Sequence, residues 1–159
     1  MLRNTLAAVL FVLPAAAFAD TTPAPARYVD AIDWPASEAG MDRFLQAEVN
    51  LGAGFDKVCG DTFCEGEYAN LRPMQLRCSV DSTKGTMKQC LWLFSGSAAS
   101  VNPKSGAVQT TAKLFKCKLL LAKDTPVESF YEVMNSEDPL HAKLPMSRYS
   151  TYDGLVGCL

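Results

Sequence analysis

Met74-Gln75-Leu76-Arg77-Cys78-Ser79-Val80-Asp81-Ser82-Thr83-Lys84-Gly85-Thr86-Met87-Lys88-Gln89-Cys90-Leu91-Trp92-Leu93-Phe94 is the stretch that decides the fold. Its first part alternates. Met74, Leu76, Cys78 and Val80 fall on one face of an extended chain, with Gln75 and Arg77 on the other, the period-two pattern of a half-buried strand. Residues 81–86 interrupt that pattern with turn formers, and Gly85 suits the left-handed position of a three-residue hairpin loop. With Thr83, Lys84 and Gly85 as the loop, Ser82 faces Thr86 and Cys78 falls opposite Cys90, so the hairpin predicts a cross-strand disulfide. The same register sets Leu76 beside Trp92 and Met74 beside Phe94, giving one continuous apolar face. Residues 90–94 do not alternate, which predicts a central strand covered on both sides.

Reading outward, Asn102-Pro103-Lys104-Ser105-Gly106 is a second turn, followed by a strand whose Phe115, Cys117, Leu119 and Leu121 share a face. The Gly, Ser and Ala of residues 95–100 leave room for a bulge, so the register across this turn stays open. Thr125-Pro126-Val127-Glu128 reads as a capping box with proline at the first helical position, and Val127, Phe130, Tyr131 and Met134 follow at helical spacing. Asp138-Pro139 starts a further turn, and Ser150 with Asp153 caps a last one carrying Leu155, Val156 and Cys158. Upstream, Ser37 caps a helix to about Asn50 with Met41, Phe44, Leu45 and Val49 facing inward, before Gly52 and Gly54 loosen the pattern. Residues 20–36, with Pro23, Pro25 and Pro35, read as an extended tether. The expected fold is α+β: an N-terminal helix on a three-stranded antiparallel meander, with short C-terminal helices, forming one disulfide-stapled domain over residues 37–159.

The composition excludes some function classes. In 159 residues, 15 basic side chains stand against 17 acidic ones, for a formal charge of −2, and 48% of residues are apolar. That is one domain's worth of chain with enough apolar material for a core, and it lacks the basic footprint of a nucleic-acid binder. Arg3, the apolar run from Leu6 to Leu13 and Ala17-Phe18-Ala19 form a secretory signal over residues 1–19. The run is about half the ~20 residues that span a bilayer, and Asp20 stands where a lipoprotein needs cysteine, so no membrane anchor is expected. Cleavage after residue 19 of 159 leaves 140 residues with 14 basic and 17 acidic side chains, a net charge of −3. The expected location is periplasmic or secreted, in a bacterium.

Six cysteines follow the cleavage site, and an even count in an exported chain predicts disulfides. Of fifteen possible pairings, the hairpin register selects Cys78 with Cys90, and proximity across a four-residue loop selects Cys59 with Cys64. Cys117 with Cys158 is what remains, a bridge that closes a long loop and pins a terminus. No C-x2-C pair accompanies the lone His141, so zinc is not expected, nor is redox exchange.

Cys59-Gly60-Asp61-Thr62-Phe63-Cys64-Glu65-Gly66-Glu67-Tyr68 is the most unusual segment. A short loop closed by a disulfide loses little entropy on binding, and Asp61, Thr62, Phe63, Glu65 and Tyr68 are the candidate partner-binding residues. The competing reading is an ordinary stapled corner. This C-x4-C loop followed by a hairpin, covering residues 59–95, resembles the bacterial inhibitor of vertebrate lysozyme and its periplasmic relatives. The resemblance implies a loop that fills another protein's cleft, with Asp61 as its polar contact. The family's loop carries a histidine, where this one has Gly60, Asp61, Thr62 and Phe63, so lysozyme itself is not carried over as the target. Immunity proteins against secreted wall-degrading effectors share this outward profile.

Other constellations compete less well. Asp61, Glu65, Gly66 and Glu67 sit at offsets compatible with a calcium loop, but Phe63 and Arg72 occupy positions where oxygen ligands are required. Arg77, Lys116 and Lys118, with Lys113 nearby, form a basic stripe that either meets an acidic partner or is the solvated side of a sheet. Trp92 reads as core; Trp34 is either a lid on the first helix or an exposed contact. His141 has no nucleophile in its sequence context, so no enzyme activity and no cofactor are expected. The functional expectation is an exported, non-catalytic recognition protein, inhibiting or conferring immunity against a cell-wall hydrolase. Small-ligand or calcium binding is the alternative.

Overall fold

A computed structural model describes residues 27–159; the expected signal and the first part of the tether lie outside the described residues. In chain order the elements are β1 (Tyr28–Asp30), α1 (Glu38–Val58), β2 (Arg72–Asp81), β3 (Thr86–Val101), β4 (Val108–Lys118), β5 (Thr125–Pro126), α2 (Val127–Met134) and α3 (Thr151–Val156). The described strands form one antiparallel sheet in the order β1-β2-β3-β4, with β5 pairing the start of β3. The fold is α+β, as the sequence predicts.

The central hairpin keeps two of its predicted pairs, by a route different from the expected one. Leu76 lies opposite Trp92 and Cys78 opposite Cys90, and the two cysteines are bridged. The loop, however, has four residues, with Asp81 paired to Thr86, and Gly85 takes a φ of 63°. That offset is cancelled by a bulge at Lys88, beyond which Ser79 pairs with Gln89. The bulge lets Met87 and Cys90, three residues apart, both enter the core. A second irregularity, between Pro73 and Gln75, puts Pro73 opposite Phe94 and turns Met74 out to solvent, so the expected Met74 and Phe94 pair does not form. Between β3 and β4 the register is unbroken from Leu91 and Lys118 to Val101 and Val108, with no bulge in residues 95–100.

Helices cover one face of this sheet. Phe44, Ala47, Leu51 and Phe55 of α1 are buried over Leu76, Trp92 and Phe94, with the Phe55 ring 4.8 Å from that of Phe94. Met41, Leu45 and Val49, expected to face inward, are exposed. The helix runs eight residues past Asn50, so the stripe that wins is the one continuing through Leu51 and Phe55. Gly52 and Gly54 do not end it. Gly54 seats the helix on Leu140, where an added Cβ would lie 3.1 Å from the leucine Cβ, and that packing outweighs the glycine penalty of about 1 kcal/mol. Glu48 accepts a hydrogen bond from the Leu76 amide, satisfying part of the free edge of β2.

Ser37 caps α1 through the Gly40 amide, and Ser150 with Asp153 closes the predicted capping box of α3. The box expected at Thr125 is absent: Thr125 belongs to β5 and donates its hydroxyl to the Ala122 carbonyl, while Glu128 pairs with Arg43 of α1. Asp138 accepts from the His141 amide, forming the expected turn after α2. The tether reading needs correcting at its end. Tyr28–Asp30 is an edge strand on β2, since the stretch between Pro25 and Pro35 has its amides free for ladder pairing. Trp34 is half-buried against the core.

Of the expected double covering of residues 90–94, only one side exists. Trp92 is buried, whereas Leu91 and Leu93 remain half-exposed on a face without a helix. Cys117 is joined to Cys158, tying α3 to β4, so all three predicted bridges are present. Three disulfides are the mark of an oxidising environment. Among the described residues no helix is long and apolar enough to cross a membrane.

Candidate functional site

The last turn of α1 does not fray but widens into a π-type turn, Cys59–Phe63, in which the Cys64 amide donates to the Cys59 carbonyl at 2.7 Å. The Cys59–Cys64 disulfide closes the same turn, with Cα atoms 5.0 Å apart. Backbone and covalent closure coincide, which fixes the turn on the end of a 21-residue helix.

Phe63 provides the third anchor. The sequence places it at the loop tip, but its ring is turned inward and half-buried, stacked on Phe55 at 5.8 Å and tilted against Tyr152 at 5.4 Å. Tyr152 in turn lies 4.7 Å from His141. Gly60, Asp61 and Thr62 are left exposed at the corner, joined by Glu65 and Glu67 in the turn that follows. Asp61, Glu65 and Glu67 form no ion pair among the described residues. The corner is thus acidic and exposed.

Tyr68 is not part of that surface. Its ring meets the edge of Phe115 at 5.6 Å, and the Lys113 ammonium sits over both rings, 4.4 Å from the Phe115 centroid. Gly96 permits this: a Cβ there would approach Leu71 and Tyr68 side chains to 2.8 and 2.9 Å. Of the five predicted contact residues, Asp61, Thr62 and Glu65 are exposed, whereas Phe63 and Tyr68 are half-buried in ring contacts. Among the described residues no group of three or more His, Cys, Asp or Glu side chains converges as a metal site, so the acids do not assemble the donor set a calcium loop requires.

Two further predicted features take shape. On the open face of the sheet, Arg77, Leu91 and Lys118 form one cross-strand row and Gln75, Leu93 and Lys116 the next. Arg77 also meets Asp30 at 3.5 Å. Lys113 lies on the opposite face with Tyr68 and Phe115, because strand alternation separates it from Lys116 and Lys118. His141 makes its side-chain hydrogen bond to Asp138, Nδ1 to Oδ2 at 3.0 Å. Desolvation pushes the Asp138 carboxyl up, but the hydrogen bonds from the His141 ring and amide outweigh it and hold the carboxyl below its ordinary range. The ring thereby helps close a surface turn; no hydroxyl or thiol is hydrogen-bonded to it among the described residues.

Comparison with protein-family models, with characterised proteins and with solved structures returned no match.

Proposed function

We propose that this chain is a non-catalytic recognition protein of an extracytoplasmic compartment, engaging a protein partner through the corner formed by Asp61, Thr62 and Glu65. The observation that carries this reading is the triple anchoring of the corner. A disulfide, a backbone hydrogen bond and an aromatic stack hold a solvent-exposed acidic turn that has no ion-pair partner among the described residues. Holding an exposed turn rigid before binding removes the ordering cost that a flexible loop incurs on entering a cleft.

The partner class is a cell-wall hydrolase. An enzyme acting on an anionic wall polymer presents a cationic cleft, and exposed carboxylates on a stiff turn complement such a cleft in charge. The role is inhibition of, or immunity against, that enzyme, and the periplasm of a bacterium is the compartment where it operates.

Titrating the full chain into purified muramidase, glucosaminidase and amidase assays on peptidoglycan tests this. Inhibition of one class is expected, weakened at least about tenfold by Asp61→Lys with Glu65→Lys, the loss of two charge-assisted contacts, at an unchanged melting temperature. Equal inhibition by the charge-reversed variant, or no inhibition of any class, would overturn the proposal.

A further inference from the structure

We infer that the open face of the sheet carries a second, unrelated site: a pocket for a phosphate-bearing ligand where the turn between β2 and β3 meets the chain leaving β4. A cavity of about 400 Å3 lies there, a size within the ordinary range for small-molecule sites. Five cationic side chains line it, Arg27, Lys84, Lys88, Lys118 and Lys123, against two carboxylates, Asp81 and Asp124.

Both carboxylates are already engaged. Arg27 holds Asp81 at 2.9 Å, and Lys84 holds Asp124 at 3.4 Å. Lys88, Lys118 and Lys123 have no acidic partner among the described residues. Three lysines without an acidic partner among the described residues thus line one concavity in a chain whose net charge is −2. Their mutual repulsion is relieved best by a multivalent anion, and a concave wall of one sign concentrates such anions locally. Lysine acts on phosphate as a mobile point charge and does not need the fixed fork geometry of arginine.

The backbone explains why these lysines meet. The bulge on β3 brings two consecutive polar residues, Lys88 and Gln89, to the cavity wall between the buried Met87 and Cys90. Lys118 reaches the wall from the strand paired with Leu91. Asp124 holds a φ of 56°, a left-handed turn that aspartate tolerates, in the loop that brings Lys123 to the same wall. Tyr28 and Gln89 also line an adjoining cavity of about 420 Å3 whose walls include Val29 and Leu91. The ligand class is therefore a phosphate or diphosphate head carrying an apolar or ring-bearing body. None of the acidic-corner residues takes part, so this inference stands apart from the proposed recognition role.

The test uses the full chain and inorganic pyrophosphate, followed by calorimetry against sodium chloride at matched ionic strength. Co-sedimentation with phosphatidylglycerol vesicles, against phosphatidylcholine vesicles, runs alongside. Saturable pyrophosphate binding is expected, weakened about tenfold or more in Lys88→Gln and in Lys118→Gln, each removing one charge-assisted contact. Lys118→Arg, which keeps the charge, and Lys104→Gln, in the distant turn between β3 and β4, should bind normally. Pyrophosphate binding without sedimentation assigns the head group to a free phosphorylated compound, and sedimentation lost in the same variants assigns it to a lipid. The inference fails if neither probe binds beyond its control, or if Lys104→Gln weakens binding as much as Lys118→Gln.

Discussion

Trp92 and Leu91 are neighbours on one strand, yet they belong to different worlds. Trp92 is 1% exposed, ringed by Phe55 and Phe94, while Leu91 stands half-exposed in a row with Arg77 and Lys118. The same alternation separates Cys117, bridged to Cys158 just beyond α3, from Lys118, which lines a cationic cavity. One face of the sheet carries the stability and the other is free to carry chemistry. Substitutions one residue apart should therefore have unrelated consequences.

The largest contrast is expected at the tryptophan. Trp92→Ala should lower the unfolding free energy by about 3–5 kcal/mol through cavity formation, whereas Leu91→Ala should cost under about 1 kcal/mol; denaturant melts of the two variants measure the difference. Removing the Cys117–Cys158 bridge with a paired alanine substitution frees a 41-residue separation and should cost about 4 kcal/mol by loop-entropy arithmetic. Lys118→Gln should leave the same melt unchanged. A smaller effect of opposite sign is expected at Tyr131, whose hydroxyl is buried with no hydrogen-bond partner among the described residues. Burial pushes its phenol up to about 12. Tyr131→Phe should raise stability by up to about 1 kcal/mol, and the variant should lose the last phenolate transition in an alkaline absorbance titration.

The smallest effect concerns the edge where the two faces meet. The Thr83 hydroxyl, then the Arg27 guanidinium, hold the Asp81 carboxyl at about 2, below the ~3.9 of a free aspartate. Because the folded value is the lower one, the stabilisation is complete above about pH 4 and drains away as pH falls toward 2. The melting temperature of Asp81→Asn should consequently change less over that window than that of the parent chain.

Strand periodicity was legible because it is local. Cys78 opposite Cys90 follows from alternation on both sides of a turn, and the pair forms even though the loop has four residues and β3 is bulged. A sign of that bulge does exist in the sequence: Lys88-Gln89, two polar residues in succession, separates Met87 from Cys90, both of which the core claims. The buried stripe of α1 is not legible in a helix that stops at Asn50, because Leu51 and Phe55 lie beyond it. Only contact with Leu140 shows why Gly54 does not stop the helix. The acidic corner is contiguous in sequence and could be found there, although the inward turn of Phe63 depends on Tyr152, 89 residues on in the fold's last helix. The cationic cavity left no trace of this kind, since its side chains come from three separate segments whose meeting is set by the register of the whole sheet.

The uninterrupted pairing of β3 with β4 extends beyond the last residue of β3 that β2 reaches, Ser95, and residues 108–114 are exposed throughout. A two-stranded ribbon without a core opens at little cost. Amides near Val101 and Val108 should therefore exchange with deuterated solvent through small local openings, while those of Trp92 and Cys117 wait for global unfolding. A single continuous strand thus spans nearly the whole range of protection the molecule possesses.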